Sequence, residues 1–108
     1  MKQYTTPDQT AKLIELGFEK PKNERWVLDV VNESTPSIQN IVKRQDYSIG
    51  ELIEMLPKEI KCSSLQLYHA GLWSVSYPLH EDKYYVASSE LCDALFEMIC
   101  YLKDKEVI

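Results

Sequence analysis

Along residues 65–77 large apolar side chains alternate with small or polar ones, and that alternation restricts how the segment can turn. Leu65, Leu67, Trp73, Val75 and Tyr77 share one parity, and Gln66, Tyr68, Leu72, Ser74 and Ser76 the other. A three-residue loop at His69-Ala70-Gly71 sets Leu67 across from Trp73 and Leu65 across from Val75. A two-residue loop at Ala70-Gly71 would group Leu65 and Leu67 with Ser74 and Ser76 instead. A one-residue slip moves every side chain to the other face, so the pattern selects the odd loop. It also puts Gly71 at the left-handed position such loops require. Pro78 to Asp82 turns the chain again, and Lys83 to Ala87 supplies a third strand. A sheet with one apolar face must be covered, and the rest of the chain has to supply the cover.

Three helices are predicted to do so. Thr6-Pro7-Asp8-Gln9 combines an N-cap, a proline at the first helical position and the glutamine of a capping box. Ala11, Ile14 and Phe18 mark the apolar stripe of a helix over 7–16, with Leu13 and Leu16 beside it and Gly17 as the stop. Ser48 and Glu51 form a second capping box, followed by Ile49, Leu52, Ile53 and Leu56 at helical spacing. Pro57 ends that helix. Ser88 or Ser89 is expected to cap the last helix. Its core stripe is Leu91, Ala94, Leu95, Met98, Ile99 and Leu102, and Glu90, Asp93, Glu97 and Asp104 lie opposite. Lys103 and Lys105 suit the negative end of its dipole. Trp26 to Val31 is rich in β-branched and aromatic residues and reads as a strand, although Trp26, Val27, Val30 and Val31 would also share a helix face. Ile38 to Lys43 reads as a short returning strand, and 32–46 is the least legible stretch.

The expected fold is therefore α+β, one domain over residues 1–108: a mainly antiparallel sheet of three to five strands with three helices packed on it. At 108 residues a core of ordinary composition is sufficient without metal or disulfide staples. No apolar run approaches the roughly 18 residues of a membrane span, and Met1-Lys2-Gln3-Tyr4 does not open a signal peptide. Cys62, Cys92 and Cys100 are odd in number, and two of them, eight residues apart on one helix, are about 12 Å from each other. Reduced thiols and a cytoplasmic location are expected. The net charge is −5, with seven basic and six acidic residues over 1–45 against five and eleven over 46–108. Such a field disfavours phosphate backbones, so neither nucleic acid nor membrane is expected as a partner, whereas a basic protein remains compatible.

Residues with chemistry are present, but not in productive patterns. Cys62, His69, His80, Cys92 and Cys100 lack the ligand spacing of a zinc site, and nothing places an imidazole beside a thiol. The carboxylates Glu51/Glu54 and Glu90/Asp93/Glu97 lie opposite apolar stripes, as solvated faces do. Ser88-Ser89 has no nucleophile elbow around it, and three scattered glycines form no phosphate loop. No cofactor and no catalytic residue is assigned. Trp73 and Tyr77 are expected in the core, while Tyr68, on the outer parity of the hairpin, is a candidate partner contact. On the last helix Cys92, Phe96 and Cys100 widen the apolar arc along one flank. Phe96 is covered either by the chain's own helices or by a second subunit, which would make a homodimer.

Three stretches, Thr6-Pro7-x-Gln9-x-x-x-Leu13-Ile14-Glu15-Leu16-Gly17-Phe18, Tyr47 to Pro57 and Glu90 to Lys103, resemble small uncharacterised proteins encoded by phages and integrated mobile elements of gut anaerobic bacteria. The resemblance covers about a third of the chain, rests on caps and apolar stripes, and carries over no site residue. It implies a bacterial cytoplasm and an accessory role. The expectation is a non-enzymatic protein-interaction module with an unidentified protein partner. The alternatives are a small enzyme or ligand-binding protein with an unrecognised site, and a self-associating structural component.

Overall fold

The computed structural model describes residues 2–22, 24–28, 41–60, 63–78 and 83–108. Helix α1 spans Pro7–Glu15. Thr6 caps it: its hydroxyl accepts from the Gln9 N–H at 3.2 Å, and the Gln9 side-chain oxygen accepts from the Thr6 N–H at 3.0 Å. Gly17, at φ 102°, ends it in the left-handed conformation the sequence predicts. The buried face differs from the expected one. Thr10 and Leu13 point inward, Ala11 is exposed and Ile14 is 37% exposed. Thr10 turns inward because its hydroxyl is recruited into a buried polar cluster. That sets Leu13, three residues on, into the core and rotates Ile14 out of it.

The cluster joins α1 to the next elements. Strand β1, Glu24–Leu28, pairs antiparallel with β2, Ile41–Gln45, and the register sets Arg25 directly opposite Arg44. Strand rather than helix is the outcome at Trp26. The remainder of both expected strands, residues 29–31 and 38–40, lies outside the described residues, while β2 runs on to Gln45. Asp46 follows β2 and is only 1% exposed. Its carboxylate accepts from the Thr10 hydroxyl at 2.6 Å, from Arg25 at 3.1 Å and from Arg44 at 3.3 and 3.4 Å. The Thr5 hydroxyl meets that of Thr10 at 2.7 Å and accepts from the Tyr47 N–H at 3.0 Å. The Arg25 guanidinium lies 4.2 Å from the centre of the Tyr4 ring. One carboxylate thus bridges two like charges that face each other across a ladder.

Helix α2, Ile49–Met55, starts on its capping box, with the Ser48 hydroxyl accepting from the Glu51 N–H at 3.2 Å. Leu56 is already extended, which leads into Pro57. Leu52 and Leu56 are buried, and Ile49 and Ile53 pack against the core. Replacing Ser48 with alanine removes the acceptor for an orphan N–H and is expected to cost about 1 kcal/mol. A lower denaturant midpoint at equal m-value registers that cost, and an unchanged midpoint would deny the cap any energetic role.

A short ribbon, β3 (Glu59–Ile60) with β4 (Ser63–Ser64), precedes the meander of β5 (Gln66–Ala70), β6 (Leu72–Pro78) and β7 (Lys83–Ser88). The fold is α+β, as expected; the described strands form three small antiparallel sheets of two, two and three strands, the meander being the largest. Within the meander the odd parity is as expected and Gly71 sits at φ 78°. The register lies two residues from the expected one: Leu67 faces Val75, and His69 faces Trp73. A shift of two leaves faces unchanged, which is why the parity argument alone does not fix it.

Helix α3, Leu91–Asp104, packs across β6 and β7, with α2 alongside it. Leu91, Ala94, Leu95, Met98, Ile99 and Leu102 are all buried, as is Cys92 on the flank. Neither Ser88 nor Ser89 occupies the cap position. The N-cap is Glu90, without a side-chain cap bond, and Ser88 accepts only from the Glu90 N–H at 3.4 Å. Ser88 is held in β7 opposite Trp73, two residues before the cap position. The Glu90 carboxylate instead accepts from the Lys2 N–H at 2.9 Å, tying the N-terminal segment to α3.

Candidate protein-interaction surface

The meander presents two unlike faces. On the inner one, Val75 and Tyr77 are fully buried beneath α3, and Trp73, Leu65, Tyr84 and Val86 pack at the margin. Strand β5 lies beyond the cover that α3 gives to β6 and β7, and all five of its residues are exposed. Leu67, expected in the core, is 39% exposed for that reason. Its neighbour His69 stacks on Trp73 with ring centres 4.5 Å apart.

The outer face carries Tyr68 opposite Ser74, and Gln66 and Tyr85 on either side of Ser76. Tyr68 is 66% exposed, Tyr85 61% and Leu72 51%. Two small serines on the central strand thus run between two tyrosines on the outer strands. The Ser74 hydroxyl donates to the Tyr68 carbonyl at 3.3 Å. The result is a shallow trough with aromatic walls, uncharged among the described side chains and ending at the register position of Lys83, a type of surface enriched at protein contacts. Trp26 is exposed as well, but it stands on β1 opposite Lys43, whose ammonium is paired with Glu24, so its surroundings are charged.

Tyr68 is therefore placed on the outer face, as its parity predicts. Phe96 is not brought near it. It sits on α3, on the other side of the sheet, and packs partly against the core. The flank it belongs to is covered within the chain, where Cys92 is fully buried and Cys100 half-buried. Tyr85 and Leu72 complete the patch but were not singled out by sequence. Tyr85 becomes legible only once its pairing with Ser76 is known, and Leu72 reads as one more apolar residue in an apolar hairpin.

Elsewhere the reactive groups are tied up. Burial pushes the Cys92 thiol up to about 11, so it is a protonated thiol at neutral pH, and burial raises Cys100 too. A surface cleft of about 470 Å³ has Cys100 in its wall with Lys12, Leu16, Lys103, Asp104 and Glu106, and among the described residues no imidazole lines it. Asp93, expected on a solvated face, accepts from the Lys2 ammonium at 2.5 Å and the Gln9 amide at 2.8 Å. Tyr47 donates its hydroxyl to the Glu19 carbonyl, and burial, then the nearby Glu51 charge, raises its pKa. Cys62 and His80 lie outside the described residues. Among the described residues, no three His, Cys, Asp or Glu side chains gather into a metal site, and no helix is long and apolar enough to cross a membrane.

No family model, curated protein or solved structure matches the chain. The surface has to be interpreted from its own chemistry.

Proposed function

We propose that this chain is a non-enzymatic protein-interaction module, a cytoplasmic accessory protein of a phage or mobile element, that binds a protein partner through the outer face of the β5–β6–β7 sheet. The observation that supports this most is the exposure of Tyr68, Leu72 and Tyr85 together on one sheet face. Large rings held on strands lose little conformational entropy on binding and carry much of the energy of protein contacts. The overall charge of −5 favours a partner whose surface is basic around an apolar centre.

The test is affinity capture from a lysate of the source organism, with the bound proteins identified by mass spectrometry. A Tyr68→Ala/Tyr85→Ala variant, whose changes lie outside the core, is expected to keep the circular dichroism of the parent and lose the captured partner by tenfold or more. Capture that is indifferent to both tyrosines would move the binding surface elsewhere and end this proposal.

A further inference from the structure

The sheet has an edge as well as a face, and the edge is unusually bare. Among the described strands, β5 has β6 on one side and no strand on the other. Its residues, Gln66-Leu67-Tyr68-His69-Ala70, are all exposed and include no proline and no Lys, Arg, Asp or Glu. Proteins ordinarily guard such an edge with charge, proline or a bulge, because a row of free N–H and C=O groups invites a further strand. Here the guard is missing over a long stretch, since residues 62–80 contain no Asp, Glu, Lys or Arg, in a chain whose net charge is −5. Two copies approaching along β5 bring no like charges together, whereas the acidic remainder of residues 46–108 repels its counterpart.

We infer that β5 pairs antiparallel with β5 of a second copy, about a two-fold axis at Tyr68, joining two three-stranded sheets into one of six strands. This rests on the proposed interaction role of the same sheet and names a second copy as the partner at its edge. The symmetry determines the contacts. Tyr68 lies beside Tyr68 of the other copy on the outer face. On the inner face Leu67 lies beside His69 of the other copy, and through it the stacked Trp73. The ring pair His69–Trp73 would thereby cover the apolar side chain that α3 leaves exposed, twice over. Each α3 rests on β6 and β7, away from the joined edges, so the helices do not obstruct the pairing. An edge of five residues is short, and the dimer it forms is weak and concentration-dependent.

Sedimentation of the full chain across a concentration series tests this. Between about 10 μM and about 1 mM, the range of a small interface, the average mass is expected to climb from near 12.6 kDa toward twice that value. Tyr68→Lys sets two like charges side by side on the axis and is expected to hold the monomer mass throughout, with circular dichroism unchanged. Leu67→Lys, also at an exposed position, is a second route to the same result should Tyr68→Lys fold poorly. Tyr85→Lys, on the far strand, is expected to follow the parent. A parent chain that stays monomeric at the highest concentration overturns the inference, as does a Tyr85→Lys chain that dissociates as fully as Tyr68→Lys. A monomer that still captures a partner through Tyr68 and Tyr85 would remove the dimer and leave the proposed function standing. A dimer with no other protein captured would support the edge pairing and remove the heterologous partner.

Discussion

Replacing Asp46 with alanine is expected to destabilise the chain by about 1–3 kcal/mol, because the lost carboxylate is buried while its two arginine partners are about a third exposed. The loss comes less from missing attraction than from what is left behind. Arg25 and Arg44 would face each other across β1 and β2 with no anion between them, and the Thr10 hydroxyl would lose its acceptor. Against a total stability of about 5–15 kcal/mol for a domain of this kind, that is a large fraction. Urea unfolding is the measurement, and a midpoint lowered by no more than an exposed ion pair explains, about 0.5 kcal/mol, would show the cluster to be incidental. Adding Arg44→Met to Asp46→Ala is expected to restore part of the loss, because it removes one uncompensated charge.

The same carboxylate sets a pH dependence. Burial pushes the Asp46 carboxyl up, but hydrogen bonds from Arg44 and Thr10 and the charges of Arg44 and Arg25 outweigh it, leaving the group below its ordinary 3.8. Asp93 behaves alike: burial raises it, and Lys2 and Gln9 bring it below its ordinary value. A group with a depressed folded pKa is protonated more readily in the unfolded chain. Its contribution is therefore complete above the unfolded value and is lost as the pH falls through the folded one. The stability gap between the parent and Asp46→Asn is expected to be constant near neutrality and to narrow below about pH 4. A gap that widens in acid would mean that Asp46 is not the carboxylate being protonated.

What the sequence discloses about this fold follows the range of the interactions involved. Thr6 with Gln9 and Ser48 with Glu51 are local exchanges of hydrogen bonds, complete within four residues, and both are legible as they stand. The stripe of α3 is legible because fourteen residues repeat the pattern. The start of α3 is not legible locally, because its cap position is decided by the pairing of Ser88 with Trp73 across the sheet and by the Lys2 N–H, 88 residues from Glu90. The hairpin shows the boundary most clearly. Parity follows from alternation, but the choice between registers two residues apart depends on contacts the alternation does not encode. The candidate surface follows suit. Tyr68 could be placed outside from its parity, Leu67 could not be foreseen as exposed without knowing how far α3 reaches, and Tyr85 needed its partner strand.

The rotation of α1 offers the sharpest test of a departure from pattern. Periodicity favours Ile14 as the buried position, while the structure buries Leu13 completely and leaves Ile14 more than a third exposed. The two residues are adjacent, and each change to alanine deletes three carbons in the same helix; the few tenths of a kcal/mol that separate leucine from isoleucine in helix propensity are small beside the expected contrast. Leu13→Ala is expected to cost about 2–5 kcal/mol, the range for a large side chain removed from a packed core. Ile14→Ala should stay below about 1 kcal/mol. The contrast also reaches the polar cluster, since Leu13 and Thr10 share one face and the helix cannot turn Leu13 out without withdrawing the Thr10 hydroxyl from Asp46. Thr10→Val is accordingly expected to weaken the chain even though it is nearly isosteric, because a carboxylate oxygen loses a donor in a buried site. Thermal or urea unfolding of the three variants decides the matter. Equal losses at 13 and 14, or a larger one at 14, would return Ile14 to the core and separate α1 from the Asp46 cluster.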